Sequence, residues 1–182
     1  MKYITQHDID NRMPWVLNSP SDRGCVELIV VRPQTDKREV LSQALFSPET
    51  GVAGDNWKNQ CSKKLANSQA DPVVQVAIMN ARMIEVLSGT KVNWPLAGDQ
   101  LFVDLDLSVN NLSPGERLQT GTAVLEITAE PHRACGKFKQ RFGNAALQYV
   151  NSTYGDTHRL RGIYAKIIST GEVSIGDIIH KL

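Results

Sequence analysis

The sequence lacks three features that would place it in a specialised class of protein. It has no charge excess, since 20 Lys and Arg residues stand against 19 Asp and Glu residues, whereas a general nucleic-acid binder is strongly basic. Its three cysteines, Cys25, Cys61 and Cys135, lie too far apart for a zinc motif and do not suggest a disulfide framework. No apolar run approaches the ~20 residues that a membrane span requires. We therefore expect a soluble, cytoplasmic protein with free thiols and with neither nucleic acid nor membrane as a partner.

The length of 182 residues suits one domain. Residues 1–24 are predicted to form an N-terminal arm, and residues 25–182 a single domain. Because Pro14 and Pro20 interrupt the arm, we expect it to be irregular and to be anchored by Trp15 and Val16. Charged and polar residues are scattered through the first twenty positions, so a signal peptide is not expected.

Short apolar stretches dominate the rest of the chain. They predict strands over residues 25–32, 73–79, 101–105, 123–129, 163–168 and 175–179. Near-helical spacing of apolar residues predicts a short helix over 36–46. Asn80 and Gly89 are placed to start and end a second helix, and residues 144–150 favour a third.

Strands outnumber helices and do not alternate with them. This pattern predicts a mostly β, α+β fold, a barrel or sandwich decorated by short helices. The chain also has no glycine-rich phosphate loop, which argues against dinucleotide-binding and nucleoside-triphosphatase folds.

Cys135 is the strongest candidate for chemistry. It follows the clearest predicted strand, and no acidic residue occurs between Pro131 and Arg141. Nearby positive charge lowers the pKa of a thiol, and a thiolate is both a nucleophile and a soft metal ligand. A buried structural cysteine is an equally good interpretation at this point, and it is the better interpretation for Cys25 and Cys61.

A second charged segment, residues 158–161, contains one histidine and two arginines before another predicted strand. Arginine forks bind phosphate and carboxylate groups, so this segment would form an anion pocket if it met the Cys135 loop. Solvated surface charge is the more ordinary interpretation of the segment taken alone. His132 is a candidate base for Cys135, if the two side chains meet in space.

From about Cys25 onward the chain resembles the MOSC family, the domain found at the C-terminus of molybdenum cofactor sulfurases, in stand-alone bacterial proteins and in the mitochondrial amidoxime reducing component. The resemblance lies in a series of segments that occur in the family's order. They are Gly51 to Trp57, Gln75 to Asn80, Ala97 to Leu101, Leu118 to Thr128, Arg161 to Ala165 and Gly171 to Asp177. The chain departs from the family at His132, where many relatives have a second cysteine, and at Gln100, where relatives often have Asn.

The resemblance implies a β-barrel with helices at its edges and a molybdenum cofactor, a molybdopterin that purified protein need not retain. It implies that Cys135 is a sulfur ligand to molybdenum. Arg133, Lys137, Arg159 and Arg161 become candidates for holding the pterin phosphate. Further candidate cofactor contacts are Asn80, His132 and Tyr164.

Three functions stay open, and the resemblance favours an enzyme. The first is reduction of N-hydroxylated small molecules, with electrons from a separate donor because the chain has no iron–sulfur or flavin motif. The second is a sulfur carrier, in which Cys135 accepts persulfide sulfur from a separate pyridoxal-phosphate cysteine desulfurase. The third is a binding domain with an inert cysteine, since fold does not fix function.

Overall fold

The centre of the molecule is a sheet that closes on itself. The structure is a computed structural model that describes residues 3–60 and 69–182. Its strands are β1 (Gly24–Val31), β2 (Glu39–Leu41), β3 (Gln43–Ser47), β4 (Gly51–Val52), β5 (Val76–Asn80), β6 (Leu101–Asp104), β7 (Arg117–Thr120), β8 (Ala123–Ile127), β9 (Ile163–Ser169), β10 (Gly171–Ser174) and β11 (Ile178–Lys181). The order β11-β7-β8-β9-β5-β6-β1, with β1 pairing back to β11, closes a seven-stranded barrel. The predicted α+β barrel is therefore confirmed.

The barrel has one parallel strand pair, β5 with β6, and its other pairs are antiparallel. Strand β2 extends the sheet from β1, and β3 forms a small second sheet with β4 and β10. Alternate residues of each strand fill the interior, as Ala123, Leu125 and Ile127 of β8 do.

Helices cover one side of the barrel and bury a second apolar cluster against it. They are α1 (Gln6–Leu17), α2 (Ala81–Ser88), α3 (Gly136–Phe142), α4 (Asn144–Val150) and α5 (Thr153–Thr157). Met79 and Phe102, on the outer face of the barrel, pack against Ile9 of α1 and Phe138 and Phe142 of α3. None of the helices in residues 3–60 and 69–182 has the length and apolar character needed to cross a bilayer.

The expectation of an irregular N-terminal arm is wrong for residues 6–17, which form α1. Thr5 caps this helix through a reciprocal pair of hydrogen bonds with Asp8. Pro14 lies inside the helix, so it leaves the backbone carbonyl of Asp10 without its usual helical partner. Val16 anchors the helix as predicted, whereas Trp15 is 43% exposed. The boundary at residue 24 stays a prediction.

The predicted helix over 36–46 is also wrong, because the segment forms β2 and β3. Ala44 and Phe46 are buried while Gln43 and Leu45 are exposed, which is the two-residue period of a strand. The spacing of Val40, Leu41, Ala44 and Leu45 also fits one face of a helix, but pairing of β2 with β1 and of β3 with β10 decides for strands.

The strand predicted over 175–179 includes a turn. Gly176 has a φ of 92°, and the Asp177 carboxylate accepts the backbone N–H of Ser174, so the chain reverses there between β10 and β11. The other predicted strands match β1, β5, β6, β8 and β9 within a few residues, and the helix over 144–150 is confirmed as α4. Cys61 lies outside the described residues.

Asn80 starts α2 as predicted, and Gly89 ends it with a φ of 75°. The Asn80 side chain is buried, and it accepts the backbone N–H of Met83 at 2.8 Å. Its amide nitrogen donates to the Ser19 hydroxyl and to the Leu105 carbonyl, both at 2.8 Å. One side chain therefore joins α2 to the end of α1 and to the strand β6.

We predict that Asn80→Ala lowers the free energy of unfolding by about 2–4 kcal/mol, because it removes a helix cap and leaves buried partners unpaired. Urea unfolding followed by circular dichroism measures the loss. The exposed Asn110 is the matched control, and Asn110→Ala should change stability by less than about 0.5 kcal/mol. Equal midpoints for the two variants would contradict the prediction.

Candidate functional site

Cys135 is exposed and sits where the chain enters α3, with extended backbone angles. The segment that follows β8 delivers it there, as the sequence predicted. The interpretation as a buried structural cysteine therefore does not hold for Cys135. Cys25, in contrast, is half-buried on β1, where its thiol donates to the carbonyl of Val26 at 3.6 Å.

The pKa values of the two thiols move in opposite directions. Partial burial alone would raise the pKa of Cys135. The backbone N–H groups of Phe138 and Lys137 and the positive charge of Arg161 outweigh that effect, so the pKa falls below its ordinary value of 9.0. Burial, together with the negative charges of Glu27 and Asp104, raises the pKa of Cys25.

The charge that acts on Cys135 comes from a buried ion pair. Nη1 of Arg161 lies 2.9 and 2.8 Å from the two carboxylate oxygens of Asp99, which is fully buried. Nη2 of Arg161 donates to the carbonyl of Ala97 at 3.1 Å, and the guanidinium lies 5.0 Å from the ring centroid of Phe138 in α3. Arg161 thus links the strand β9, the Gly98-Asp99 turn and the helix that Cys135 precedes.

His132 lies next to this ion pair and is itself buried. Its Nδ1 is 3.6 Å from an Asp99 oxygen, too far for a hydrogen bond, and its ring is 4.1 Å from the ring of Tyr164. Burial and the positive charges of Arg161 and Arg32 hold the pKa of His132 well below 6.5, so the imidazole is neutral at pH 7. Burial raises the pKa of Tyr164, and the negative charge of Asp99 adds to that effect.

A cavity of about 270 Å³ opens behind the His132 segment. It brings together four of the predicted site residues, namely His132, Arg133, Arg159 and Arg161. Three of them have polar partners already, since Arg161 binds Asp99 as described above. Arg133 donates to the Asp156 carboxylate at 2.8 Å, and Nη1 of Arg159 donates to the carbonyls of Leu107 and Leu112.

The predicted residue Lys137 lies on the other side of the same loop. Its ammonium is 3.2 Å from Asp36, on the β1–β2 connection, and the guanidinium of Arg141 is 3.2 Å from the same oxygen. The sequence did not identify Asp36 as the shared partner of Lys137 and Arg141, because more than 100 positions separate it from either residue. The positive φ of Asp36, 60°, turns the connection towards the helix.

Two further arginines adjoin this group, and the sequence analysis missed both. Arg32 binds both carboxylate oxygens of Asp55 and donates to the carbonyl of Gly98. Arg38 is half-buried, and burial and the charges of Arg141 and Arg32 lower its pKa. Its buried Nε has no hydrogen-bond partner among the described residues. We call Asp36, Arg38, Lys137 and Arg141, together with Cys135, the thiol mouth.

The other predicted site residue, Asn80, has the structural contacts described above, and its role as a cofactor contact stays a prediction. A larger cavity, of about 580 Å³, lies between α1 and α4 and is lined by residues such as Asp10, Met13 and Tyr149. It holds no predicted site residue, so volume alone does not mark the site.

The comparisons with known proteins now decide the family. A family model of the MOSC domain matches residues 62–180. The chain belongs to the MOSC domain family. No curated protein matches the MOSC chain.

Solved structures support the fold. The MOSC chain is similar to the YuaD protein from Bacillus subtilis, with 19% identity over 86% of this chain and 93% of that one and a TM-score of 0.59. It is also similar to YiiM from Escherichia coli, with 16% identity over 87% and 69% of the two chains and a TM-score of 0.56. At these identities the likeness shows a common fold and nothing finer.

We predict that Cys135 reacts with iodoacetamide at lower pH than Cys25, because only the thiolate is alkylated and the two pKa values move apart. Peptide mass spectrometry after timed labelling between about pH 6 and pH 10 gives the midpoint of each cysteine. The midpoint of Cys135 should lie below that of Cys25. A midpoint for Cys135 at or above that of Cys25 would contradict the described electrostatics.

We also predict that Gly136→Ala leaves the protein as stable as before, or more stable by up to about 1 kcal/mol. A Cβ at Gly136 would meet nothing within 4 Å, and its φ is not in the left-handed region. The matched variant is Gly162→Ala, where the Cβ would lie 2.2 Å from the Ile78 carbonyl at a φ of 98°. Thermal unfolding should show that the free energy of unfolding falls by more than about 3 kcal/mol in Gly162→Ala and not in Gly136→Ala.

Proposed function

We propose that this MOSC protein binds a molybdenum cofactor at the thiol mouth, with the Cys135 thiolate as a sulfur ligand to molybdenum. The observation that carries the proposal is an exposed thiol of lowered pKa beside guanidinium groups that outnumber their carboxylates. A soft thiolate suits the metal, and arginine forks suit the pterin phosphate. The donor set therefore fits the group that the family is associated with.

Arg38 is the residue best suited to the phosphate. Its guanidinium contacts no carboxylate among the described residues, and its Nε has no partner there. Arg32 and Arg141 lie close enough to lower its pKa. A doubly charged phosphate would offset this repulsion, and bidentate contacts would satisfy donors that the protein leaves open. Lys137 and Arg161 supply further positive charge.

Arg133 and Arg159, which the sequence also suggested for the phosphate, have a weaker claim. Arg133 is neutralised by Asp156, and Arg159 binds two backbone carbonyls. Both line the 270 Å³ cavity and not the thiol mouth. We assign this cavity, with the neutral His132 and with Tyr164 stacked on it, to support of the Cys135 segment.

The reaction that we propose is reduction of an N-hydroxylated small molecule. A cofactor held by Cys135 and Arg38 would supply the redox-active metal that this two-electron reduction needs. The N–O bond breaks, two protons are taken up, and the oxygen leaves as water. The part of this chain is to hold the cofactor through Cys135 and Arg38 and to keep positive charge beside the thiolate. The electrons come from a separate donor protein.

The test is the metal content of protein expressed with the molybdenum cofactor available. We predict close to one molybdenum per chain in the wild type and in Cys25→Ala, and loss of at least about 90% of it in Cys135→Ala, because Cys135 is the exposed thiol among the described residues. Arg38→Gln should retain an intermediate amount. Mass spectrometry of the metals measures the molybdenum content of all four proteins. Equal molybdenum in wild type and Cys135→Ala would refute the proposal.

The second candidate, a sulfur carrier, is favoured by the same exposed thiol of low pKa. Here the Cys135 thiolate attacks the outer sulfur of a desulfurase persulfide, the old S–S bond breaks, and the desulfurase thiolate leaves. Incubation with a cysteine desulfurase and cysteine should then add ~32 Da to Cys135 and not to Cys25. Absence of that mass eliminates the carrier. Absence of both persulfide and molybdenum leaves the third function, a binding domain.

A further inference from the structure

Positive charge is concentrated at the thiol mouth although the chain as a whole is balanced. Arg38, Lys137 and Arg141 lie there with one carboxylate, Asp36, which is 61% exposed. The whole sequence has 20 basic and 19 acidic residues. Three cations against one carboxylate beside Cys135 is therefore a local excess.

Elsewhere on the surface several cations pair one to one with a carboxylate, and Arg117 and Lys166 share Glu126. Lys91 binds Glu27 at 2.8 Å, Arg82 binds Asp104 at 2.7 Å, and Arg133 binds Asp156 at 2.8 Å. At the thiol mouth, Asp36 receives both Lys137 and Arg141, and Arg38 has no carboxylate in contact within the described residues. The thiol mouth therefore differs from the Glu126 cluster by a third cation, Arg38, and two of its cations belong to α3, the helix that Cys135 precedes.

The approach to the thiol is open. Cys135 is exposed, and a Cβ on the next residue, Gly136, would meet nothing within 4 Å. A glycine at the start of a helix costs stability relative to alanine, and no contact of the fold requires one here. A reactant of considerable size can therefore reach the sulfur.

We propose that the thiol mouth selects negatively charged reactants for Cys135. The inference rests on the proposed function only in taking Cys135 as the reacting group. Charges within a Debye length of the sulfur, about 10 Å at 0.1 M salt, attract an anion and repel a cation. The selected group is a carboxylate or phosphate, carried by a small molecule or by the acidic face of a partner protein.

The experiment compares two thiol reagents that differ in charge. The ethylsulfonate and ethyltrimethylammonium methanethiosulfonates both convert a thiolate to a mixed disulfide and release methanesulfinate, but one is an anion and the other a cation. Peptide mass spectrometry gives the rate at Cys135 in protein without molybdenum. At ~10 mM salt, the ratio of the anionic to the cationic reaction rate at Cys135 should be about tenfold higher than the same ratio for 2-mercaptoethanol. At 1 M salt it should be less than about twofold higher.

Two variants assign the preference to the thiol mouth. In Lys137→Gln with Arg141→Gln, Asp36 is left facing Arg38 alone, so the preference for the anion should disappear. Lys166→Gln is the matched control, since the Lys166 side chain is 39% exposed and pairs with Glu126 outside the thiol mouth. It should keep the wild-type ratio. Thermal unfolding checks that the variants fold.

A protection experiment distinguishes a small anion from the acidic face of a partner protein. It measures how much each kind of anion slows the reaction of Cys135 with a neutral reagent, methyl methanethiosulfonate. Slower reaction of Cys135 in poly-L-glutamate at low salt supports a partner's acidic face, and slower reaction in inorganic phosphate supports a small anion. The proposal is overturned if the ratio of the anionic to the cationic rate equals that of 2-mercaptoethanol, or if neither anion protects Cys135. Because no arm needs molybdenum, these results stand apart from the metal-content test.

Discussion

The buried ion pair between Arg161 and Asp99 is the interaction on which the rest of the site depends. Asp99 is fully buried, and a buried charge is tolerated only when it is paired and hydrogen-bonded. Arg161 meets that condition and also contacts Ala97 and the ring of Phe138. The strand β9, the turn before β6 and the helix α3 are thereby fixed relative to one another. Cys135 directly precedes α3, so the fixed helix positions its backbone while its thiol stays exposed.

The same ion pair explains the electrostatics of its neighbours. A guanidinium in a site of low dielectric favours the thiolate of Cys135 and disfavours a charged His132. The chain therefore presents a reactive sulfur three residues from an imidazole that stays neutral. Here one thiol faces the thiol mouth, and the histidine ring stacks on Tyr164 behind it.

Much of the barrel could be predicted from the sequence because its strands alternate apolar and polar residues over short, well-bounded stretches. The helix start at Asn80 carried an equally local signal. The helix predicted over residues 36–46 was wrong because the four apolar side chains there fit both a helix face and a strand. Pairing with strands that are distant in the sequence determines the strand conformation. Thr5 and Asp8 carried a capping signal for α1, but Pro14 made the segment look irregular. Tertiary context, not propensity, settled each of these segments.

The candidate site divides in the same way. Cys135 and Arg161 could be identified from a charged segment after a strand and from the family resemblance. Arg32 and Arg38 could not, because nothing local distinguishes them from ordinary surface arginines and their neighbours come from distant parts of the chain. Closure of the barrel brings the β1–β2 connection against α3, and Asp36 then links the two through Lys137 and Arg141. A single carboxylate is enough to join two basic segments but not to neutralise them, and the remaining positive charge faces the solvent next to the sulfur.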